Sequence, residues 1–408
     1  MKRVFALLLC AALLLALLAG CGQKSGDTQG NSDEAPAAET AAETAEEAGD
    51  QPLVSDPDAG SAIGLGGTGY ATYAPDTVVA DVNGSEVTWM EYYYWLTYYG
   101  SMLLESAIEN NVTLTSWDAV GEMSMDMSNA EVLTTAAQYM MKQYHAIQTG
   151  AESIDAALSE QDRADLEDIY TSYADSDGDG AVSEEEAASY DRFLAGQCVD
   201  KDFFLYLLET AMLTNVVFDS LYGESAEKYT DDDTMAFIAE NGYMSARRIV
   251  ILTIDSETGE DLDEETIAQK KAIADWIRQE LAAKQDTDEL IELFDEYMYE
   301  YSEDTGYADF PDGYVFLKDG TPLSTITAKL DENYGLSEVE ETSYGYEIVL
   351  RQPVLPDSVE SDAYGEGRTM RYLAAERNLQ VLVSAWTDAA EVTWNEGFET
   401  PDLAAIFG

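Results

Sequence analysis

The plainest chemistry in this chain sits in one acidic window, Asp175-Ser176-Asp177-Gly178-Asp179-Gly180-Ala181-Val182-Ser183-Glu184-Glu185-Glu186. Asp175, Asp177 and Asp179 alternate, so their carboxylates offer hard oxygens toward one side of a turn. Gly180 permits the sharp bend, Ala181 supplies its backbone carbonyl, and Ser183 coordinates directly or through water. Glu186 then closes the shell with a bidentate carboxylate. With Val182 packing inward, the window 175–186 has the ligand pattern of a calcium loop, and Asp175, Asp177, Asp179, Ala181, Ser183 and Glu186 are its expected ligands. An acidic turn that holds no ion is the other reading, because a chain this rich in Asp and Glu produces such turns by composition. A single loop predicts weak affinity, on the order of the 10⁻⁴–10⁻³ M of extracellular modules. Its role would be structural, cancelling local repulsion and fixing the angle between two helices. Leu166, Ile169, Tyr170 and Tyr173 approach it at helical spacing, and Tyr190, Phe193 and Leu194 leave it the same way.

A second reactive position is Cys21. Lys2 and Arg3 precede an apolar run from Val4 to Leu18, and Leu18-Ala19-Gly20-Cys21 resembles the lipobox that ends a bacterial lipoprotein signal peptide. The run is short for a bilayer span of roughly 20 residues. The resemblance implies cleavage before Cys21 and lipid attachment there, with two acyl chains holding the protein on the outer face of the cytoplasmic membrane. An uncleaved anchor helix is the alternative. Residues 1–21 are therefore the expected signal peptide. Residues 22–75, rich in Gly, Ala, Ser, Thr, Asp and Glu, read as a disordered acidic tether.

Counting excludes several chemistries. His145 is the only histidine, which rules out a histidine-based catalytic pair and a multi-histidine zinc site. Cys10 leaves with the signal and Cys21 carries lipid, so Cys198 is the one free thiol and no intramolecular disulfide forms. The chain has 81 Asp and Glu against 20 Lys and Arg, a formal charge of -61. That field repels nucleic acid, so no nucleic-acid partner is expected, and it either favours cations and basic client chains or serves only solubility with a halo of counter-ions. Apolar residues at 46% still allow a sizeable core, enough for two or three domains within 408 residues.

The elements that must position these residues begin at Thr77, where alternating apolar residues flank Asn83-Gly84 as a small hairpin. Thr88, with Glu91 three residues on, has capping-box spacing. Trp89, Tyr92, Tyr93 and Leu96 follow at helical intervals, as a packed face or as a client-binding tyrosine platform. Helical character continues over 130–150 and 200–222. From Ala246 the pattern is mixed: a strand from Arg248 to Ile254, helices carrying Ile273, Ile277, Leu281 and then Leu290, Phe294, Met298, and a strand at Tyr314-Val315-Phe316. A short helix over Pro322–Leu330 and a closing strand over Tyr346–Arg351 complete the order β-α-α-β-α-β-β. The fold class is α+β.

Several stretches together resemble the extracytoplasmic foldases of the PrsA and SurA type, which join a helical chaperone domain to a parvulin-type prolyl isomerase domain. Val82-Asn83-Gly84 before an aromatic helix is similar to the start of their chaperone domain. Ala246-Arg247-Arg248-Ile249-Val250 is similar to the first parvulin strand, Tyr301-Ser302-Glu303-Asp304 with Gly313-Tyr314-Val315-Phe316 to its central motif, and Ser343-Tyr344-Gly345-Tyr346-Glu347-Ile348-Val349 to its last strand. The resemblance implies a helical domain over 76–240, a parvulin-like domain over 241–355, and a helical segment over 356–408 that returns to the first domain. It also implies unfolded or nascent secreted proteins as clients. Parvulins carry histidines on the first and last strands; the matching positions here are Arg248 and Glu347, while the central acid is retained as Asp304. The position expected to line the proline pocket is Ile326. Loss of both histidines predicts weak or absent activity; because isomerisation must weaken an amide whose rotation barrier is ~20 kcal/mol and needs no nucleophile, that loss lowers rather than abolishes the prospect of turnover. An Arg248–Glu347 ion pair is the expected replacement. Three functions stand open: a membrane-anchored folding factor, an active isomerase using Asp304 with a tyrosine such as Tyr346, and a calcium-dependent surface scaffold or adhesion lipoprotein.

Overall fold

The computed structural model describes residues 63–66, 69–178, 180–331, 334–361 and 368–408. The signal segment, Cys21 and Asp179 lie outside the described residues. The chain divides into two compact units, the first formed by Met1–Ser220 with Gln380–Gly408 and the second by Leu221–Leu379. In chain order the strands are β1 Val78–Val82, β2 Ser85–Thr88, β3 Met244–Leu252, β4 Tyr314–Phe316, β5 Glu340–Glu341, β6 Gly345–Gln352 and β7 Val392–Trp394. All of their pairings are antiparallel and the remainder of the regular structure is helical, which makes the fold α+β.

In the first unit, β1 and β2 form the expected hairpin, with Asn83 at φ 55° and Gly84 at φ 89°. Two consecutive left-handed residues are what a tight hairpin turn demands, and Asn-Gly supplies them at low cost. β7 pairs with the other edge of β1, which brings the end of the chain back beside its ordered beginning. The helix Trp89–Glu109 buries Trp89, Tyr92 and Leu96 against Leu133, Ala137 and Met141 of the helix Asn129–Ser153. The tyrosine cluster is thus largely a packed face.

Two expectations for this region are corrected. Thr88 does cap its helix, its hydroxyl accepting from the Glu91 N–H at 3.3 Å, but no reciprocal capping box forms. The Glu91 carboxylate turns inward instead, and both its oxygens lie 3.2 Å from Nε2 of buried His145. Order also starts before residue 76, because Ile63 and Leu65 are buried in the main core and the carbonyl of Tyr70 accepts from Trp89 Nε1 at 2.9 Å. Two isolated apolar side chains in a polar tract carry too little periodicity to mark that start.

Among the described residues, Lys201–Tyr222 alone is long and apolar enough to cross a membrane. Its Tyr206 and Leu207 pack on the main core of the first unit, and Phe203, Phe204 and Leu205 pack on a smaller cluster around Tyr170 and Leu194.

The second unit is built on a sheet in the order β4-β3-β6-β5. Over 244–352 its elements follow β-α-α-β-α-β-β. β3 and β6 are zipped from Ser245 opposite Gln352 to Leu252 opposite Gly345. Side chains alternate across a strand, so Ile249, Ile251, Tyr346, Ile348 and Leu350 face one layer. There they meet Ala274, Ile277 and Leu281 of the helix Glu264–Ala282, and Phe294 and Met298 of Thr287–Tyr301. Ile273 is exposed and Ala274 takes its place in the core. The opposite face carries Ala246 and Val349 under Leu323 and Ile326 of the short helix Pro322–Thr327.

The unit boundaries differ from those expected at 240/241 and 355/356. The helix Asp231–Asn241 belongs to the second unit, since its Ile238 packs with Val315, Val354, Met370 and Leu373. Arg371 fastens the same helix, donating to the carbonyl of Tyr229 and, at 2.6 Å, to Asp231. Sequence periodicity identifies such helices but does not say which neighbour they bury against.

Candidate functional site

On the face of the second unit's sheet opposite its two long helices, three charged side chains converge. Arg248 on β3 stands opposite Val349, and Glu347 on β6 stands opposite Val250. The two are therefore diagonal neighbours on one face. Asp304 arrives from the turn after the helix Thr287–Tyr301, and that turn is sewn to β3. The Val250 N–H donates to Ser302 Oγ at 3.1 Å, and the Glu303 N–H donates to the Val250 carbonyl at 2.8 Å.

Arg248 donates from Nε to Asp304 Oδ2 at 2.7 Å, from Nη2 to Oδ1 at 3.2 Å, and from Nη1 to Glu347 Oε1 at 3.2 Å. The paired donors match the guanidinium fork to one carboxylate. Tyr314 donates to Asp304 Oδ2 at 2.8 Å, and the Tyr344 hydroxyl donates to Glu347 Oε1. Glu347 is fully buried, and its Oε2 has no hydrogen-bond partner among the described residues. Burial pulls the Asp304 carboxyl upward, but the Arg248 guanidinium and the Tyr314 hydroxyl outweigh it and hold Asp304 below the usual carboxylate range. Burial and the bond to Asp304 push Tyr314 up to about 12. Burial and the bond to Glu347 push Tyr344 up as well.

A cleft of about 300 Å³ opens over this network, lined by Arg248, Tyr314, Phe316, Asp319, Leu323 and Tyr344 among others. Its walls combine aromatic and aliphatic side chains with the polar Asp319, Thr321 and Ser361, and the salt-bridged guanidinium of Arg248 also faces it. Two sequence expectations about these walls are corrected. Ile326 is buried in the core beneath the short helix and does not line the cleft; Phe316 and Tyr314 supply the aromatic surface. Tyr346 points to the helical layer, and the tyrosine that meets Glu347 is Tyr344. Strand alternation carries the signal for both: Tyr314 and Phe316 share a face, while Tyr346 falls out of phase with Glu347. The Arg248–Glu347 pair is present as expected, with Asp304 added to it.

In the first unit, the helix Glu160–Ala174 ends at Asp175, and Ser183 caps the helix Glu184–Gly196. The intervening window is a helix-bounded loop with Gly178 at φ 75° and Gly180 at φ 85°, a conformation in which a side chain would be strained. Ligand oxygens of Asp175, Asp177 and Glu186 lie within 4.8 Å of one another. Asp175 accepts from the N–H groups of Gly178 and Gly180, each at 2.8 Å. Glu186 accepts from Ser176 and Ser183, and these bonds, led by those from Ser183, lower its carboxyl to about 2. Val182 packs inward against the cluster of Tyr170, Ala174 and Leu194. The Ser183 hydroxyl is engaged with Glu186 as a helix cap. Carboxylates from both ends of the loop thus converge on one point, and the donor set is all oxygen. This fits a hard divalent cation.

No family model and no curated protein matches the chain. Among solved structures it is similar to PrsA from Bacillus subtilis, at 15% identity over 77% of this chain and 91% of that one, with a TM-score of 0.22. It is similar also to a peptidylprolyl isomerase (PrsA) from Bacillus cereus, at 12% identity over 80% and 97% with a TM-score of 0.28. A SurA-like chaperone of Campylobacter jejuni gives 7% identity over 78% and 99% with a TM-score of 0.23. At such scores the function of this chain rests on its own residues.

Proposed function

We propose that this protein is a membrane-anchored extracytoplasmic folding factor, held by lipid on Cys21, that binds unfolded secreted chains in the cleft of its second unit. The observation that carries this reading is the cleft itself. The apolar and aromatic part of its wall suits a client's small apolar side chain, while the groups behind it are held in a salt bridge. Arg248 is shared between two carboxylates and is held strongly protonated by them against the opposing pull of burial. A guanidinium stays protonated near neutral pH, so the network is built to hold shape rather than to relay protons. Calcium, bound by Asp175, Asp177 and Glu186 with Asp179 and the Ala181 carbonyl completing the shell, would brace the helix pair on either side of its loop.

The mature protein should suppress aggregation of a basic secreted substrate at low salt and lose that effect at high salt, because its acidic field is screened within about 3 Å at 1 M. Absence of suppression at both salts overturns the folding-factor reading and favours a surface scaffold. A protease-coupled proline-peptide assay separates the isomerase alternative. No turnover is expected; turnover lost in Asp304→Ala would make the protein an enzyme with a salt-bridged site.

A further inference from the structure

One guanidinium, Arg248, and one carboxylate, Asp319, line the cleft, and the pairing of Arg248 with Asp304 and Glu347 helps decide what charge a ligand meets there. Arg248 commits three of its five N–H groups to Asp304 and Glu347. Its positive charge is more than offset by the two carboxylates. An anionic ligand therefore finds no uncompensated cation, although N–H donors remain for a neutral acceptor such as a peptide carbonyl. Asp319 differs. It is exposed at the cleft wall, and among the described residues no lysine or arginine forms an ion pair with it, Lys318 included. Its Oδ1 accepts from the Thr321 N–H at 2.9 Å and from the Thr321 hydroxyl at 2.7 Å. The nearby Ser324 hydroxyl first, and then these bonds from Thr321, lower its carboxyl to about 2. The rings of Tyr314, Phe316 and Tyr344 line the same space. Rings of this kind attract cations through their faces and accept apolar side chains equally well.

We propose that the cleft selects client segments in which a lysine or arginine stands beside a proline or another small apolar residue, with Asp319 receiving the cation and the ring-lined slot receiving its neighbour. The inference deepens the proposed client-binding role and rests on it. A volume of about 300 Å³ admits one or two side chains of an extended chain, so the specificity is for a dipeptide step within a longer unfolded segment. Acidic and phosphorylated segments are disfavoured by the same charge balance.

Labelled peptides that differ only at one position, Lys-Pro, Ala-Pro and Glu-Pro, titrated with the full mature chain and followed by fluorescence anisotropy, test this at low and moderate salt. The Lys-Pro peptide should bind roughly fivefold to tenfold more tightly than Ala-Pro, and Glu-Pro most weakly. Asp319→Asn should bring Lys-Pro down to the Ala-Pro level and leave Ala-Pro unchanged. Glu257→Gln, which removes one exposed charge from a residue that does not line the cleft, should leave the ratio intact. A Lys-Pro preference that survives Asp319→Asn overturns the inference alone, since the protein's overall charge would then explain it, and so does equal binding of all three peptides. Failure of every peptide to bind overturns the client-binding role of the cleft and this inference with it.

Discussion

Asp304 and Glu347 in the second unit, and Asp175, Asp177 and Glu186 in the first, are the same chemical groups gathered to similar density, yet they are stabilised in opposite ways. The first pair is largely buried, where an unpaired carboxylate costs several kcal/mol, and a built-in guanidinium answers both charges. The loop carboxylates stay near water, and Asp175 and Glu186 accept from N–H groups and hydroxyls, whose partial charges leave the sum negative. Burial thus requires the counter-charge to be part of the chain, whereas exposure allows it to be an ion taken from solution. One site carries its counter-charge within the chain, and the other leaves room for the cation proposed above.

The sharpest way to break this contrast is to remove the internal cation. Arg248→Ala strands the fully buried Glu347, and the expected cost to the second unit is about 3–5 kcal/mol. Hydrogen exchange across β3 and β6 is the appropriate reading, because it reports that unit without requiring the whole chain to unfold together. Glu347→Ala should also destabilise, and the double variant should cost little more than either single one. Plain additivity would show that the two side chains are not energetically paired. Arg248→Lys should fail to restore full protection, since a lysine cannot present the fork that Asp304 engages. Tyr344→Phe is a smaller lesion in the same network. It takes the hydroxyl from Glu347 and should cost about 1–3 kcal/mol, the usual penalty for a buried polar group left unsatisfied. A neutral outcome would mean that water reaches Glu347.

On the exposed side, Asp177→Asn removes one carboxylate from the loop without touching its caps. Calcium affinity should fall by at least about tenfold, equivalent to ~1.4 kcal/mol, with little effect on the stability of the calcium-free protein. Terbium luminescence sensitised by the nearby Tyr173 and Tyr190 offers a direct measurement. Equal affinity in both proteins would leave the window as an acidic turn.

How much of this was legible in the sequence divides along the same line. The loop could be read because its chemistry is local: the residues that matter lie within one twelve-residue window, and glycine and valine hold their places for steric reasons visible in the sequence. The hairpin at Asn83-Gly84 and the strand and helix order of the second unit were legible for a related reason, each being a short-range pattern. The Arg248–Glu347 pair came from a motif match on two strands. Its third member's full role did not, because Asp304 reaches Arg248 only through a turn sewn to β3 by Ser302 and Glu303. Tyr344 in place of Tyr346, and Phe316 in place of Ile326, were lost to a one-residue phase on a strand and to the unknown placement of a six-residue helix. Glu91 shows the same limit. Its spacing from Thr88 has the form of a cap, and only the neighbouring helix reveals that His145 claims its carboxylate.

Acid sharpens the comparison from the side of the salt-bridged site, with the smallest effect near neutral pH. Asp304 is held below its ordinary range by Arg248 and Tyr314 against the pull of burial. In the folded state it therefore keeps its charge to lower pH than in the unfolded chain, where it titrates at about 3.9. The unfolded state binds the proton first, so Asp304's contribution to stability is complete above that value and is withdrawn as pH falls through the lower folded one. Protection of β3 and β6 should consequently be flat from neutral pH down to the ordinary carboxylate range and decline below it. Asp304→Asn should lower the plateau and remove its part of the decline. If Asp304→Asn instead leaves both the plateau and the decline unchanged, the Asp304 salt bridge is not what holds the sheet face together, and the second unit owes its stability to the packing on the opposite face, where Ile249, Ile251 and Ile348 meet the two long helices.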